Sequence, residues 1–328
     1  MLWAVLDSRQ WMLSGALCER VRQLSRRLVS KGNPETVGSA HDFAVERSAL
    51  GERERVRQLS EDSLSRYRRV LGDDHPDTLV LAHDLAVALR MSGEHEQARA
   101  LDEDTLTRRR RVLGEDHCDT LASAHNLAVD LGALGKYRWA QILSEDTLTC
   151  YRRVLSADHP DTLRSAHNLA NDLRALGEHE AACQLSEDTL SRRRRVLGED
   201  HPDTLRSASN FALDLRALGQ YQRARVLSED TMARYRRVLG DDHLDTLTSA
   251  YNAAVDLRAL GECQRACALD EDTLTRYRRV LGDDHPHTLA SADNLAIDLR
   301  ALGEHEQARQ LQEWIRSQRG TGRITGPG

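Results

Sequence analysis

Apolar residues recur along this chain with the spacing of α-helices. The segment from Cys118 to Asp158 begins with apolar residues one or three positions apart: Leu121, Ala124, Leu127, Ala128, Leu131 and Leu134. At about 100° per residue these positions cover one side of a helix, whereas a strand would alternate polar and apolar residues. A second stripe follows at Ala140, Leu143, Thr147, Tyr151, Val154 and Leu155. The pattern predicts two amphipathic helices, called here the first-type and the second-type helix.

This two-helix pattern repeats with a period of 42 residues. The segments Pro160–His201 and Pro202–His243 are identical at 29 of 42 positions. A histidine recurs at the same interval, at His75, His117, His159, His201, His243 and His285. One helix pair cannot bury both of its apolar stripes, but stacked pairs can cover each other. The period therefore predicts an all-α solenoid of about seven antiparallel helix pairs.

Helix boundaries are also marked in every repeat. A glycine such as Gly135 follows the first-type helix, because glycine adopts the left-handed conformation at low cost. The recurring histidine precedes the first-type helix, usually followed by Pro and Asp as in His201-Pro202-Asp203. Packed helices lie about 8–10 Å apart and metal–nitrogen bonds are about 2.1 Å, so neighbouring loop histidines cannot share an ion. We expect these histidines to cap helices and predict no metal site.

Several stretches resemble the tetratricopeptide repeat. They are Leu-Gly-Glu-Asp-His-Pro-Asp-Thr-Leu at Leu197–Leu205, the run Asn126-Leu127-Ala128, and Leu134-Gly135-Lys136-Tyr137 with Ala140. The chain is most similar to the 42-residue variety of kinesin light chains and of many actinobacterial proteins, where such arrays often follow a signalling ATPase domain. This resemblance covers roughly residues 34–319 and implies a right-handed superhelix. Residues 1–33 are expected to form an N-terminal capping helix or to be the remnant of an upstream domain, and residues 320–328 a flexible tail.

Composition excludes several classes of function. The 46 basic and 52 acidic residues give a net charge of −6, which argues against a general nucleic-acid binder. No apolar run is long enough to span a membrane, and the six cysteines form no C-x-x-C pair, as expected in a reducing cytoplasm. The predominance of arginine over lysine indicates GC-rich coding and a bacterial source. No nucleotide-binding motif or unique catalytic group is present, so we predict no enzymatic activity and no cofactor.

Candidate binding residues lie on the first-type helices. The resemblance implies that the side opposite the apolar stripe lines a concave groove. An asparagine recurs on that side, at Asn126, Asn168, Asn210, Asn252 and Asn294. Its amide could hold the backbone of an extended peptide. Alternatively, each asparagine bonds the backbone of the neighbouring repeat.

Histidine and arginine accompany this asparagine row. His125 and His167 directly precede two of the asparagines. One turn further on lies an arginine row, Arg174, Arg216, Arg258 and Arg300, while Arg164 and Arg206 lie near the helix starts. These arginines could receive carboxylates of a partner, or they could form ion pairs on a solvated face with Asp172, Asp214, Asp256 and Asp298. The runs Arg108–Arg111 and Arg192–Arg195 could touch phosphates, but their acidic neighbours favour solvated helix faces.

Together these observations favour a protein–protein interaction scaffold whose groove binds an extended peptide segment of a partner. The alternative is a sensor or regulatory arm of a signalling ATPase of the NB-ARC type, encoded as a separate or truncated chain.

Overall fold

The computed structural model describes residues 53–321, and every regular element in that range is an α-helix. This confirms the predicted all-α class of paired helices. The second-type helices are α1 Arg53–Leu71, α3 His95–Leu113, α5 Tyr137–Val154, α7 His179–Leu197, α9 Tyr221–Leu239, α11 Cys263–Leu281 and α13 His305–Thr321. The first-type helices are α2 Pro76–Met91, α4 Cys118–Ala133, α6 Pro160–Ala175, α8 Pro202–Ala217, α10 Leu244–Ala259 and α12 Pro286–Ala301. The expected capping helix at 1–33 lies outside the described residues, as do residues 322–328 of the tail expected at 320–328. Gly320 and Thr321 were expected in the tail but belong to the end of α13.

The helices form two compact units, one ending at Leu155 and the other starting at Ser156. In the first unit, consecutive helices from α1 to α5 pack against each other, and α2 also contacts α4. In the second unit, α6 to α13 pack in the same consecutive order. There α6, α8, α10 and α12 also contact one another in sequence. Short loops impose the antiparallel order, and the first-type helices form a continuous layer within each unit.

Histidine caps the start of every described first-type helix. The His75 Nδ1 atom accepts a hydrogen bond from the backbone N–H of Asp77 at 3.2 Å. Five further histidines make the same bond: His117, His159, His201, His243 and His285. Each bond satisfies one of the amides that a helix leaves unpaired at its N-terminus. The prediction that these histidines cap helices is confirmed.

The second-type helices end where the sequence places a glycine, with one exception. Gly198, which follows α7, has a φ of 90°. Ser156 holds the equivalent position after α5 with a φ of 104°, in a region that glycine occupies without steric cost. The Ser156 carbonyl accepts a hydrogen bond from Thr162 Oγ1 at 2.7 Å, as the Gly240 carbonyl does from Thr246 Oγ1 at 2.8 Å. The turn is therefore preserved despite the serine.

Leucine and alanine fill the space between helices. Each second-type helix from α3 onward buries one alanine almost completely: Ala98, Ala140, Ala182, Ala224, Ala266 and Ala308. These small side chains let neighbouring helices approach closely, and leucines such as Leu163 and Leu205 close the remaining space. The packing explains why the chain needs few aromatic residues.

Candidate functional site

Most of the arginine row is tied to the next repeat by ion pairs. In the second unit, Arg174 Nε donates to Asp214 Oδ1 at 2.5 Å. The corresponding nitrogen–oxygen distances are 2.6 Å for Arg216–Asp256 and 2.7 Å for Arg258–Asp298, and the pair Arg90–Asp130 of the first unit measures 2.6 Å. All four aspartates are completely buried. We call this arginine with the aspartate forty residues later the inter-repeat clasp.

A third residue, from the intervening second-type helix, completes the clasp. Ser228 Oγ donates to Asp256 Oδ2 at 2.6 Å. An aspartate takes this place in two repeats. Arg90 Nη2 reaches Asp102 Oδ2 at 2.8 Å, and Asp270 Oδ2 lies 4.0 Å from Arg258 Nη1. In those two repeats a single arginine faces two buried carboxyl groups.

The clasps show where the predicted arginines lie. Arg174, Arg216 and Arg258 contact buried aspartates across a helix–helix seam, which is the arrangement of the ion-pair alternative, except that the aspartates are not solvated. Arg300 on α12 is exposed, and Gly132 takes the arginine position on α4. Removal of an arginine from a clasp would leave a buried carboxylate without its counter-charge.

The asparagine row follows the same seam. Asn210 Nδ2 donates to Asn171 Oδ1 of the preceding first-type helix at 2.7 Å, and Asn126 Nδ2 lies 3.3 Å from His83 Nε2. Asn294 Oδ1 accepts a hydrogen bond from Arg258 at 3.0 Å. Asn252 accepts from Arg216 through its backbone carbonyl. The backbone carbonyls of Asn126, Asn210 and Asn294 also accept hydrogen bonds from Arg90, Arg174 and Arg258. These asparagines therefore contact the preceding repeat through both their side chains and their backbone carbonyls.

One cavity of about 270 Å³ brings several predicted residues together in the second unit. It lies between α6, the end of α7 and the start of α8. Arg164, His167 and Asn168 line it from α6, and Arg206 lines it from α8. His125, the other predicted histidine, is buried on α4 of the first unit.

Charges in this cavity are only partly paired. Arg164 Nη2 lies 2.8 Å from Asp161 Oδ1, and Arg206 pairs with Asp203. Both arginine side chains remain more than half exposed. Burial and the positive charge of Arg193 lower the pKa of His167 to about 3, so its imidazole is neutral at physiological pH. With two carboxylates against three guanidinium groups, the cavity keeps a positive charge.

The third guanidinium, that of Arg193, was not identified as a site residue from the sequence. Arg193 is only 4% exposed, and its equivalent Arg109 in the first unit is 3% exposed. The interpretation of both arginine runs as solvated faces was therefore wrong for these two residues. Four other repeats place a buried tyrosine here: Tyr67, Tyr151, Tyr235 and Tyr277. The sequence did contain a signal for this buried arginine, because arginine replaces tyrosine at a fixed position of the repeat.

Other kinds of site are not found in the part of the chain that the structure describes. No group of three or more His, Cys, Asp or Glu is arranged to hold a metal ion within 53–321. Likewise, none of the described helices is long and apolar enough to cross a membrane. Five of the cysteines fall in this range, all with free thiols: Cys118, Cys150, Cys183, Cys263 and Cys267.

The chain belongs to the tetratricopeptide repeat family, a family of protein-interaction scaffolds. The family model matches at residues 48–111, 90–153, 119–183, 161–236, 208–266 and 248–317. The comparison with curated proteins gives no match.

Among solved structures, the chain is similar to the nearly identical TPR-like repeats of a putative kinesin light chain from Podosopora anserina. The two are 30% identical over 62% of this chain and 97% of that one, with a TM-score of 0.56. BtubC (BKLC) from P. vanneervenii is 17% identical over 71% of this chain and 94% of its own, with a TM-score of 0.60. NprR in complex with its cognate peptide NprX is 14% identical over 94% of this chain and 88% of its own, with a TM-score of 0.56. The first of these likenesses supports the kinesin-light-chain type of repeat, and the other two show the fold.

Proposed function

We propose that this protein binds an extended segment of a partner protein along its first-type helices, with the cavity between α6 and α8 as one point of contact. The observation that carries the proposal is that Arg164, His167, Asn168 and Arg206, from two consecutive repeats, line one cavity. An extended chain crossing successive first-type helices would meet these residues in turn. The NprR–NprX complex supports the proposal, because it shows a peptide bound to a protein of this fold.

The chemistry of the cavity favours an acidic partner segment. Arg164 and Arg206 are exposed enough to reach a ligand, whereas the clasp arginines already bind buried aspartates. Guanidinium groups bind carboxylates in a planar, often bidentate arrangement. Affinity should therefore come from charged hydrogen bonds and fall as ionic strength rises.

The test begins with capture of partners from the native host and mapping of the bound segment. The double variant Arg164→Ala/Arg206→Ala should then weaken binding of that segment about tenfold or more, because hydrogen bonds to charged groups contribute about 1.5–3 kcal/mol. Fluorescence anisotropy at two salt concentrations measures the affinity and its salt dependence.

The matched control is Arg223→Ala/Arg265→Ala. Both control residues lie on second-type helices and are more than half exposed, with glutamate partners Glu187 and Glu229. This variant removes the same charge and should bind the segment as the wild type does. Equal weakening by both pairs would show only a general charge effect, and the proposed contact would be rejected.

A further inference from the structure

Arg193 carries a buried positive charge that its protein neighbours do not neutralise directly. Its hydrogen bonds to described residues both leave from Nη1, to the Asp203 backbone carbonyl at 2.9 Å and to Ser207 Oγ at 2.8 Å. Both acceptors are uncharged, and no carboxylate of the described residues lies within 4.0 Å of the Arg193 guanidinium. Burial lowers the pKa of Arg193; the charge of Asp203 opposes this shift, and the charges of Arg206 and Arg164 add to it. A buried charge of this kind is costly unless a counter-charge is supplied.

The equivalent Arg109 of the first unit lacks this environment. Arg109 uses both terminal nitrogens, donating from Nη1 to the Asp119 carbonyl and Ser123 Oγ and from Nη2 to the Leu79 carbonyl at 3.2 Å. The positions of Arg164 and Arg206 are held there by Val80 and Ala122. Among the described repeats, only the copy around Arg193 therefore combines a buried arginine with two flanking arginines.

We propose that the cavity around Arg193 is a binding site for one oxyanion group, a carboxylate or a phosphate, held jointly by Arg193, Arg164 and Arg206. Arg193 is fixed by its bonds to α8 and supplies a preorganised charge at the base of the cavity. Arg164 and Arg206 project from the rim and can turn toward the ligand, because their own aspartate partners lie in exposed helix starts. Three guanidinium groups around one anion give strong charge-assisted hydrogen bonds.

This site adds a specific contact to the proposed function. It rests on the proposed function in one respect, that the oxyanion belongs to a side chain of the partner segment. Two sources share the chemistry, a glutamate or aspartate carboxylate and a phosphorylated serine or threonine. His167 stays neutral over the physiological pH range, so it neither adds to nor removes charge from the cavity.

The experiment uses the full chain and defined probes without any partner. Inorganic phosphate is titrated into the protein at low salt, and the arginine Nε–Hε resonances are followed by NMR. Short blocked peptides carrying either one phosphoserine or one glutamate are then compared. The wild type should show saturable binding, with one of the two peptides preferred; that preference identifies the source of the oxyanion.

The deciding variant is Arg193→Tyr, with Arg109→Tyr as its matched control. Four repeats of this chain carry tyrosine at the same position, so both variants are expected to fold, which circular dichroism checks. Arg193→Tyr should lower the affinity for the probes at least tenfold, whereas Arg109→Tyr should leave it unchanged. Absence of saturable binding by the wild type, or equal affinities of the two variants, would overturn the proposal. If the probes bind as expected but partner segments do not require Arg164 and Arg206, the proposed function fails while the anion site stands.

Discussion

At the scale of single residues, serine and aspartate can both donate a hydrogen bond to the buried aspartate of the clasp, but they do so in different ways. Ser228 donates its hydroxyl proton to Asp256. Asp102 can donate to Asp130 only if it is itself protonated. Burial raises the pKa of Asp102 to about 8; the charge of Arg90 opposes the shift and that of Asp130 adds to it. The pKa of the Asp270 carboxyl group is raised to about 8 in the same way, by burial and by the neighbouring Asp298.

Replacement of Asp102 by serine should therefore make the stability less dependent on pH. Between about pH 4 and 8 the folded protein keeps a proton that the unfolded chain releases, so the free energy of unfolding falls as pH rises, by up to about 1.4 kcal/mol per pH unit for each such group. Asp102→Ser should have a shallower slope in this range and be the more stable protein at pH 8. Urea unfolding at pH 5 to 9 measures both quantities.

The reverse substitution, Ser228→Asp, is the control. It should introduce a new fall in stability between pH 4 and 8, because it places a second carboxyl group beside Asp256. Arg90, Asp130 and Arg109 all act on Asp102, and His95 lies 3.9 Å from Asp130; none of these residues changes in Asp102→Ser. An unaltered slope in Asp102→Ser would mean that the buried pair does not share a proton.

At the scale of helices, the sequence predicted where helices begin and end better than it predicted which polar side chains face solvent. The repeated histidines and glycines identify caps that depend on a few neighbouring residues, and the structure confirms them. The polar face was harder to interpret, because a helical wheel cannot distinguish solvent from a seam between two first-type helices. Asp214 and Asp256 are polar in sequence but fully buried, since their partners Arg174 and Arg216 come from a different repeat.

Loss of one arginine from a clasp should destabilise the helices on both sides of the seam. Arg216→Ala leaves Asp256 buried without its counter-charge, at a cost of about 3–5 kcal/mol. The double variant Arg216→Ser/Asp256→Ala carries the residues found one repeat before the first clasp, Ser48 and Ala88, and should recover most of the loss. Denaturant unfolding and amide exchange in α8 and α10 measure the effect. A double variant no more stable than Arg216→Ala would argue against the clasp as an isolated pair.

At the scale of the whole molecule, the 42-residue period predicted the order of the helices, because each contact joins neighbouring elements. The anion site could not be predicted in the same way. Arg193 belongs to α7, while its companions Arg164 and Arg206 belong to α6 and α8. The three arginines come together because of how these three helices pack. The spacing of apolar residues in the sequence does not show which polar positions of neighbouring helices meet.

Deletion of the complete repeat 202–243 should leave a folded, shorter protein. Arg174 would then meet Asp256 forty residues downstream, so the clasp would form again at the new junction. Circular dichroism should show the same helicity per residue as in the wild type. Deletion of residues 202–222 alone is the control: it removes a first-type helix without its partner and should lower both helicity and solubility. Unfolding of the 42-residue deletion variant would contradict nearest-neighbour stability.

The clasp also bears on how the gene can change. Its arginine and its aspartate are encoded in adjacent copies, so slipped replication between two copies that both carry these residues recreates the pair at the new junction. Copy number can thus drift by whole repeats without a compensating mutation. The cluster around Arg193 behaves differently, since it needs three particular codons in two neighbouring copies, and a single recombination between those copies would erase it.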